Sequence, residues 1–352
     1  MANSNVNYAR KINELLKDLP DFASDFIYNF GKPDKYMTKY EYTRDLKDFL
    51  SFMVNFMPEH SEKEIKDITL SDLDNIKPLD INRYLTILSG DEESGLKETT
   101  VKRRRASLSS MFSFFVNNEK LKRNPVLAAK NVEIPEKTLI YLTDDEQDIL
   151  LDAVKSGGGL TDNTAKLHEK YADRDVAMFL LMLDTGLRVS EMLSTDICDY
   201  DLEKGSVIVR RKGGGLDTVF YSDECASYLD MYFSSQRVKY GLEDVYIPAF
   251  TTISGKRLGV RAVETLVKKY VKACLPDKEK IMSPHKLRSS FAMSFYAASK
   301  NDILLLQKKL HHKSISTTNV YAHASDKESE ASRNILSKKR KQRKNGEKKE
   351  LP

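Results

Sequence analysis

Apolar and polar positions alternate with a helical period through the first 130 residues. One run of apolar residues separated by three or four positions consists of Leu46, Phe49, Leu50, Met53 and Met57. This spacing places them on one face of an α-helix. A second helix is predicted from Thr99 onward, where the same spacing relates Leu108, Met111, Phe112 and Phe115. Residues 1–130 are therefore predicted to form a helical domain.

Three pairs of residues match the capping box, in which a Ser or Thr is followed three positions later by Glu. They are Thr38 with Glu41, Ser61 with Glu64, and Thr143 with Glu146. Each pair predicts the beginning of a helix. Between the second and third pairs, Pro125 and Pro135 stand in a stretch without apolar periodicity. Because proline disfavours a continuing helix, we predict a linker at residues 131–142.

One stretch of the C-terminal half has the pattern of a β-hairpin. The β-branched segments 207–209 and 218–221 flank Lys212 and three glycines. Helices are predicted at about 223–239, 260–274, 284–299 and 302–311. The expected fold is mostly α, with a small β-hairpin or sheet in the second domain, residues 143–337. We expect the basic tail, residues 338–352, to be disordered and either drawn to phosphate or simply solvated.

Composition limits the function classes without choosing among them. The formal net charge of +5 is too small to establish a polyanionic partner. The three cysteines, Cys198, Cys225 and Cys274, form no CxxC pair, so neither a disulfide framework nor a zinc site is indicated. With no apolar run of membrane-spanning length, we expect a soluble, cytoplasmic protein without a membrane partner. No Walker A loop, HExxH motif or close carboxylate group occurs, so we expect neither a metal nor another cofactor.

Candidate chemistry is concentrated in three segments of the second domain. In DTGLRVSE, Gly186 interrupts a helical pattern and Arg188 follows it. A guanidinium offers rigid paired donors that suit phosphate oxygens, and Glu191 can hold it in place. An isolated arginine here is equally explained as a helix cap or an ion-pair partner.

The other two segments bring histidines, a second arginine and one tyrosine. In SPHKLRSS, His285 and Arg288 are three residues apart and share one face of a helix. In LHHKSISTTNVYAH, nine positions separate His312 from Tyr321. Four of the six histidines lie between residues 285 and 323. Each motif is weak by itself, because a polar helix face explains it equally well.

Taken in order, TGLRVSE, HKLR and LHHKSISTTNVYAH resemble the signature boxes of the tyrosine recombinases, the family of integrases and Xer-type recombinases. MTKYEYTRDLKDFLSFM and TVKRRRASLSSMFSFFVNNEKLKRNP resemble that family's helical core-binding domain. The resemblance covers most of residues 20–325. It implies a two-domain clamp on DNA that joins a core-binding domain to a catalytic domain.

The resemblance also implies an activity, which is cleavage and rejoining of DNA strands at specific sites through a covalent 3′-phosphotyrosine, without metal or ATP. It implies that Arg188 and Arg288 hold the scissile phosphate, Lys212 protonates the departing 5′ oxygen, His285 assists proton transfer at the nucleophile, His312 hydrogen-bonds the phosphate and Tyr321 attacks it. Lys102, Arg103, Arg104, Arg105 and Arg211 are expected to bind DNA. The four consecutive cations cannot all share one helix face, and a solvated helix end is the alternative for them.

Two positions depart from the family pattern, and Lys212 is an open assignment. His311 stands where the family usually has glycine, so either His311 or His312 is a candidate phosphate ligand, with spacing to Tyr321 favouring His312. Ser289 stands where a second histidine is common, which puts a supporting hydrogen bond in doubt. Lys212 is also explained as an exposed turn residue, with Arg211 as the neighbouring candidate.

The resemblance implies double-stranded DNA carrying recombination sites as the partner, and a homotetramer that assembles on it. Ala331, Ile335 and Leu336 recur at helical spacing after Tyr321, so we expect this segment to dock on a neighbouring protomer. A type IB topoisomerase and a catalytically silent DNA-binding protein of the same fold are the alternatives. The sequence leaves open the target site and the choice between integration, excision, inversion and dimer resolution.

Overall fold

The computed structural model describes residues 2–90, 95–133, 138–211, 214–240 and 247–325. The chain divides into two compact units, Met1–Glu136 and Lys137–Pro352. No helix among the described residues is both long enough and apolar enough to cross a lipid bilayer.

The first unit is built from α-helices joined by short turns. Its helices are α1 (Ala2–Leu16), α2 (Asp21–Asn29), α3 (Tyr36–Phe56), α4 (Leu70–Asp74), α5 (Pro78–Ser89) and α6 (Glu98–Asn117). The apolar stripes predicted from the sequence face one core, where Phe49 of α3 packs edge-on against Phe112 of α6. The helical periodicity of this half is therefore confirmed.

The second unit adds a small antiparallel sheet to its helices. They are α7 (Asp144–Ser156), α8 (Asp162–Thr185), α9 (Val189–Leu193), α10 (Asp223–Tyr240), α11 (Val260–Cys274), α12 (Pro284–Ala298) and α13 (Ile303–Leu310). The strands are β1 (Tyr200–Asp201), β2 (Ser206–Arg210) and β3 (Leu216–Phe220), in the order β1-β2-β3. Residues 319–325 are again helical.

The predicted fold class, mostly α with a small sheet, is confirmed, as are the hairpin and the four helices that follow it. In the hairpin Val207 pairs with Val219, and both side chains enter the core. Strand β1, which has only two residues, carries no period that sequence reasoning can detect.

Of the three predicted capping boxes, only Thr143 with Glu146 forms, at the beginning of α7. Thr38 lies inside α3, whose N-cap is Lys35, so the first prediction is wrong. The second is wrong because the Ser61 hydroxyl donates back to the carbonyl of Pro58, at 2.9 Å, and caps no helix. A serine whose hydroxyl bonds to a nearby backbone carbonyl can match the capping-box pattern in sequence without capping a helix.

Gly186 makes the turn that places the first candidate segment. It ends α8 in the left-handed conformation, with φ of +59°. A Cβ added at Gly186 would lie 2.2 Å from Cδ1 of Phe291 on α12. Glycine is therefore required both by the backbone conformation and by the close approach of α12. The consequence is that α9, which follows directly, begins beside α12.

Candidate active site

Arg188 begins α9 and is held by Glu191 one turn later. Its Nη1 donates to Oε1 of Glu191 at 2.8 Å, and its backbone N–H donates to Oε2 at 3.1 Å. The Arg188 side chain keeps 34% of its surface exposed, whereas that of Glu191 is buried. Burial acts to raise the pKa of Glu191, but the hydrogen bonds and charges of Arg188 and Arg211 outweigh it and leave that pKa below its ordinary value. The arginine is thus anchored at one nitrogen while part of its fork faces solvent.

Arg211, at the end of β2, joins this pair to the hairpin. Its Nη1 donates to Oε2 of Glu191 at 2.8 Å, while Nε and Nη2 donate to Oδ2 of Asp217 at 3.0 and 2.7 Å. The same oxygen of Asp217 lies 2.8 Å from Nε2 of His311. Arg211 was predicted to bind DNA, but the structure directs its donors to two carboxylates.

Arg288 is almost completely buried, with 3% of its surface exposed. Its Nη1 donates to the carbonyl of Gly186, and its Nη2 donates to the carbonyl of Leu310 at 2.6 Å. Burial and the charge of Arg188 lower the pKa of Arg288 to about 10, so the guanidinium stays protonated at neutral pH. Two backbone carbonyls therefore fix the plane of a buried cation.

His312 lies against Arg288. Its Nε2 is 3.4 Å from Nη2 of Arg288, and its Nδ1 is 3.0 Å from the hydroxyl of Thr318. Desolvation and the charges of Arg288 and Arg188 lower the pKa of His312 to about 4, so the ring is neutral at pH 7. Because an arginine can only donate, Nε2 is the acceptor and Nδ1–H donates to Thr318.

His285 stands in the first turn of α12, one helical turn before Arg288. Partial desolvation of its ring, together with the charges of Lys286, Arg288 and Arg188, lowers its pKa below the ordinary value. The neutral form is therefore favoured near neutral pH, and a neutral imidazole can accept a proton.

Tyr321 is buried, with 4% of its surface exposed, in a small core with Phe291 and Leu310. The Ser289 hydroxyl donates to the carbonyl of His285 at 3.3 Å. Burial raises the pKa of Tyr321, although the nearby side chain of Ser289 and the charge of Arg288 oppose the rise. Ser289, at the position where the family has a second histidine, therefore lies near the tyrosine.

Five of the six predicted catalytic residues come together. Arg188, His285, Arg288 and His312 all lie within electrostatic reach of one another, and Tyr321 is within reach of Arg288. The sixth, Lys212, lies outside the described residues. Of the adjacent histidines, His312 faces Arg288 while His311 faces Asp217.

The basic run of α6 makes contacts within the first unit. Arg103 lies 2.5 Å from Asp45, and Arg104, itself largely buried, lies 2.7 Å from Asp48. Arg105 donates to the carbonyls of Val126, Ala129 and Lys130. Lys102 is exposed, and Arg103 keeps part of its side chain in solvent.

Sequence reasoning missed Asp217 and Thr318, which hold His311 and His312. The sequence carried one signal for the backbone at His311, though none for its contact with Asp217, namely a histidine at a position where the resembled family has glycine. A glycine preferred at a helix end indicates a left-handed residue. His311 indeed ends α13 with φ of +50°.

The model of the phage integrase family matches residues 141–328, more than half of the chain. The chain belongs to the phage integrase family. This membership confirms the resemblance to tyrosine recombinases and an assignment to an enzyme family of recombinases and integrases. A relative within the family is the tyrosine recombinase XerS of Streptococcus pneumoniae (strain Hungary19A-6), which is 26% identical over 343 residues, covering 89% of this chain and 94% of XerS.

Solved structures share the fold of this phage integrase family member. XerH recombinase bound to a palindromic difH substrate, in a post-cleavage complex, matches with a TM-score of 0.65 and 20% identity over 86% of this chain and 80% of XerH. The Tn1549 transposon integrase in complex with transposon right end DNA matches with a TM-score of 0.62 and 19% identity over 88% of this chain and 98% of the integrase chain.

Proposed function

We propose that the protein is a site-specific DNA recombinase that cleaves and rejoins strands through a covalent 3′-phosphotyrosine at Tyr321, with no need for metal or ATP. The observation that carries the proposal is the meeting of two arginines and two histidines beside the one buried tyrosine of the third segment. Membership of the phage integrase family supports the same reaction.

In this proposal, Arg188 and Arg288 bind the non-bridging oxygens of the scissile phosphate. Attack on a phosphodiester builds negative charge on those oxygens, and preorganised cations stabilise it most strongly in the transition state. Arg288 suits this role because backbone carbonyls already orient its fork. Arg188 suits it because a third of its side chain is accessible to an incoming strand.

Tyr321 is the nucleophile. Its Oη forms a bond to phosphorus, the bond from phosphorus to the 5′ oxygen breaks, the phenolic proton leaves and the 5′ oxygen takes up a proton. A phenol with a raised pKa needs help to lose its proton, and the charge of Arg288 stabilises the developing phenolate. We assign assistance at the phenol to His285 and protonation of the leaving oxygen to Lys212, as the family resemblance implies.

Rejoining is the reverse reaction with another strand. A 5′-hydroxyl attacks the phosphotyrosine, releases Tyr321 and restores the phosphodiester. Because the covalent intermediate conserves the energy of the broken bond, no nucleotide hydrolysis is required.

His312 hydrogen-bonds the phosphate in this scheme. The Thr318 hydroxyl can accept from Nδ1 or donate to it, because a hydroxyl has both a hydrogen and lone pairs. When Thr318 donates, Nε2 carries the hydrogen and can bind a phosphate oxygen in place of its contact with Arg288. Thr318 thereby permits both states of a neutral ring.

The proposed partner is double-stranded DNA with two recombination sites, held by four protomers in the cytoplasm, for integration, excision or resolution of DNA elements. The titles of the matched structures name complexes with DNA substrates, which supports a DNA partner. We propose that the two units act as a clamp and that the segment with Ala331, Ile335 and Leu336, which lies outside the described residues, docks on a neighbouring protomer. Of the basic run, Lys102 and Arg103 are the residues we propose to touch the DNA backbone, because Lys102 is exposed and Arg103, although paired with Asp45, keeps part of its side chain in solvent. Arg104 is largely buried, and Arg105 donates to backbone carbonyls of its own unit.

Selection from a random-sequence duplex library by the full-length protein identifies the site, and a nicked suicide duplex carrying it tests the chemistry. Tyr321→Phe is expected to abolish the covalent complex on a denaturing gel and to leave DNA affinity within about twofold, because the phenylalanine keeps the packing. Tyr296→Phe is the matched control, since Tyr296 is a buried tyrosine of the same small core.

A covalent complex that persists in Tyr321→Phe would refute the assignment of the nucleophile. Relaxation of plasmid DNA without a preferred site, and without joining of strands between two duplexes, would instead favour a type IB topoisomerase. Sequence-specific binding by wild-type protein that never yields a covalent complex would favour a silent DNA-binding protein.

A further inference from the structure

His311 occupies a backbone conformation that glycine adopts more readily. It ends α13 with φ of +50° and ψ of +44°. A left-handed residue other than glycine costs about 1 kcal/mol, so the side chain of His311 is retained at the expense of stability. That side chain makes one polar contact among the described residues, from Nε2 to Oδ2 of Asp217 at 2.8 Å.

From Asp217 the contacts lead to Arg188. Arg211 donates to Asp217 with Nε and Nη2, and it donates to Glu191 with Nη1 at 2.8 Å. Glu191 in turn accepts from Nη1 of Arg188 at 2.8 Å. We call the five residues His311, Asp217, Arg211, Glu191 and Arg188 the clamp chain. The first link is a nitrogen–oxygen contact of 2.8 Å, the others are hydrogen bonds of normal length, and every link involves a carboxylate.

The backbone at His311 also serves the second arginine. The preceding carbonyl, that of Leu310, accepts from Arg288, and the following side chain, His312, lies against the same guanidinium. A left-handed turn between these two residues sends the His311 side chain to the hairpin. His311 therefore stands between Leu310 and His312, which contact Arg288, while its own side chain begins the clamp chain that leads to Arg188.

We propose that His311 is a positioning residue. By holding Asp217, it fixes Arg211 and Glu191 and thereby orients the Arg188 guanidinium on the scissile phosphate. The inference rests on the proposed function, in which Arg188 binds that phosphate. A donor on Nε2 suffices for the contact, so the neutral Nε2–H ring and the imidazolium both make it.

The test compares His311→Gly with wild-type protein on two suicide duplexes that carry the selected site. One has a natural scissile phosphate, and the other has a methylphosphonate there, in which a methyl group replaces a charged oxygen. On the phosphate, we expect the single-turnover rate of covalent-complex formation at saturating DNA to fall about tenfold, with DNA affinity unchanged. On the methylphosphonate the fall should be about twofold or less, because an arginine has less charge to neutralise there.

Two further variants remove or restore the same contact. Asp217→Asn, which keeps the shape of the side chain, should slow cleavage of the phosphate about as much as His311→Gly. The double variant should be no slower than Asp217→Asn, because the effects of two substitutions within the clamp chain are not additive. His311→Gln places an amide N–H near the position of Nε2 and should recover most of the rate.

Lys300→Gly is the matched control. Lys300 is an exposed residue with φ of +56°, so its replacement also relieves a left-handed residue, but away from the clamp chain. It should cleave both duplexes at the wild-type rate.

Three results would overturn the inference, provided that the wild-type protein forms the covalent complex. They are a wild-type rate for His311→Gly on the phosphate, an equal loss on both duplexes, and additive losses in the double variant. Absence of the covalent complex in wild-type protein would instead refute the proposed function, so the two failures are distinguishable. Asp217→Asn carries the same test if the glycine variant does not fold.

Discussion

Two charged clusters of the second unit use similar residues for different ends. The first is the clamp chain. The second, which we call the buried cluster, consists of His168, Arg174, Asp175, Lys269 and Tyr270 on α8 and α11. In both, a buried carboxylate collects hydrogen bonds from arginine.

The buried cluster is closed on itself. Asp175 accepts from Nε and Nη2 of Arg174 at 3.0 and 2.7 Å and from the Tyr270 hydroxyl at 2.8 Å. The remaining Nη1 of Arg174 donates to the carbonyl of Thr251 at 3.0 Å. Since Tyr270 donates to Asp175, its oxygen accepts from Nδ1–H of His168, at 3.0 Å. The charges of the buried cluster are therefore satisfied by partners within the protein.

The clamp chain ends in solvent. Glu191 is buried, as Asp175 is, but the Arg188 side chain keeps part of its surface exposed. Residue type alone therefore does not separate a buried structural ion pair from the pair that we propose to bind phosphate. What distinguishes Arg188 from Arg174 is that Arg188 keeps an accessible part of its side chain after its carboxylate is satisfied, and the following predictions test whether this difference matters.

The largest effect on stability is expected from Asp175→Asn. Removing the charge leaves Arg174 buried without its counterion, which costs about 3–5 kcal/mol. Urea unfolding should show this loss, while the folded fraction still cleaves DNA at the wild-type rate. Asp173→Asn, two residues away and exposed on the same helix, should leave the unfolding midpoint unchanged. Equal stability of the two variants would contradict a structural role for the buried cluster.

Arg188→Ala should have the opposite effect, which is slower cleavage with little loss of stability. We expect the rate of covalent-complex formation to fall about 10²–10³-fold, since one preorganised donor to a developing oxyanion contributes about 3–4 kcal/mol. DNA affinity and the free energy of unfolding should change little, because Glu191 keeps its contact with Arg211. Arg261→Ala, an exposed arginine of α11, serves as control. Equal losses of cleavage and affinity would mean ordinary backbone binding.

The smallest expected effect is a dependence of the free energy of unfolding on pH that is caused by His312. The pKa of His312 is about 4 in the folded protein, against an ordinary value of 6.5. Between these values the unfolded chain binds the extra proton, so this contribution to stability is full above pH 6.5 and is lost as pH falls toward 4. After allowance for solvent screening, it amounts to roughly 1 kcal/mol.

His312→Asn should therefore flatten the fall in the unfolding midpoint between pH 6.5 and 4. The same substitution at His323 controls for the loss of one histidine. An unchanged slope in His312→Asn would show that this ring does not carry the acid sensitivity.

Local pattern predicted much of this molecule. Apolar spacing predicted α6 and the four helices after the hairpin, since a helix that packs on one core needs one apolar face. The resemblance of the three boxes to tyrosine recombinase signatures likewise predicted the residues that meet at Arg288. Their order along the chain was informative because each box includes the turn or helix start that places its side chain.

Long-range pairing was beyond such patterns. Asp217 and His311 are distant in sequence, and neither has a local signal for the other. The arginines of α6 illustrate the same limit, because a basic run that suggests DNA binding is also suited to a nearby Asp45 or to backbone carbonyls. Tertiary packing decides which of these acceptors each arginine contacts.

The two carbonyls that accept from Arg288 belong to Gly186 and Leu310, and most of the sequence of the second unit lies between these two residues. A polypeptide grows from its N-terminus, so the second acceptor, His312 and Tyr321 are among the last parts of the unit to be synthesised. A chain that stops short of Leu310 can carry the whole first unit yet lacks the proposed nucleophile and half the support of its buried cation. Under the proposed function, prematurely terminated products of translation therefore cannot cleave DNA.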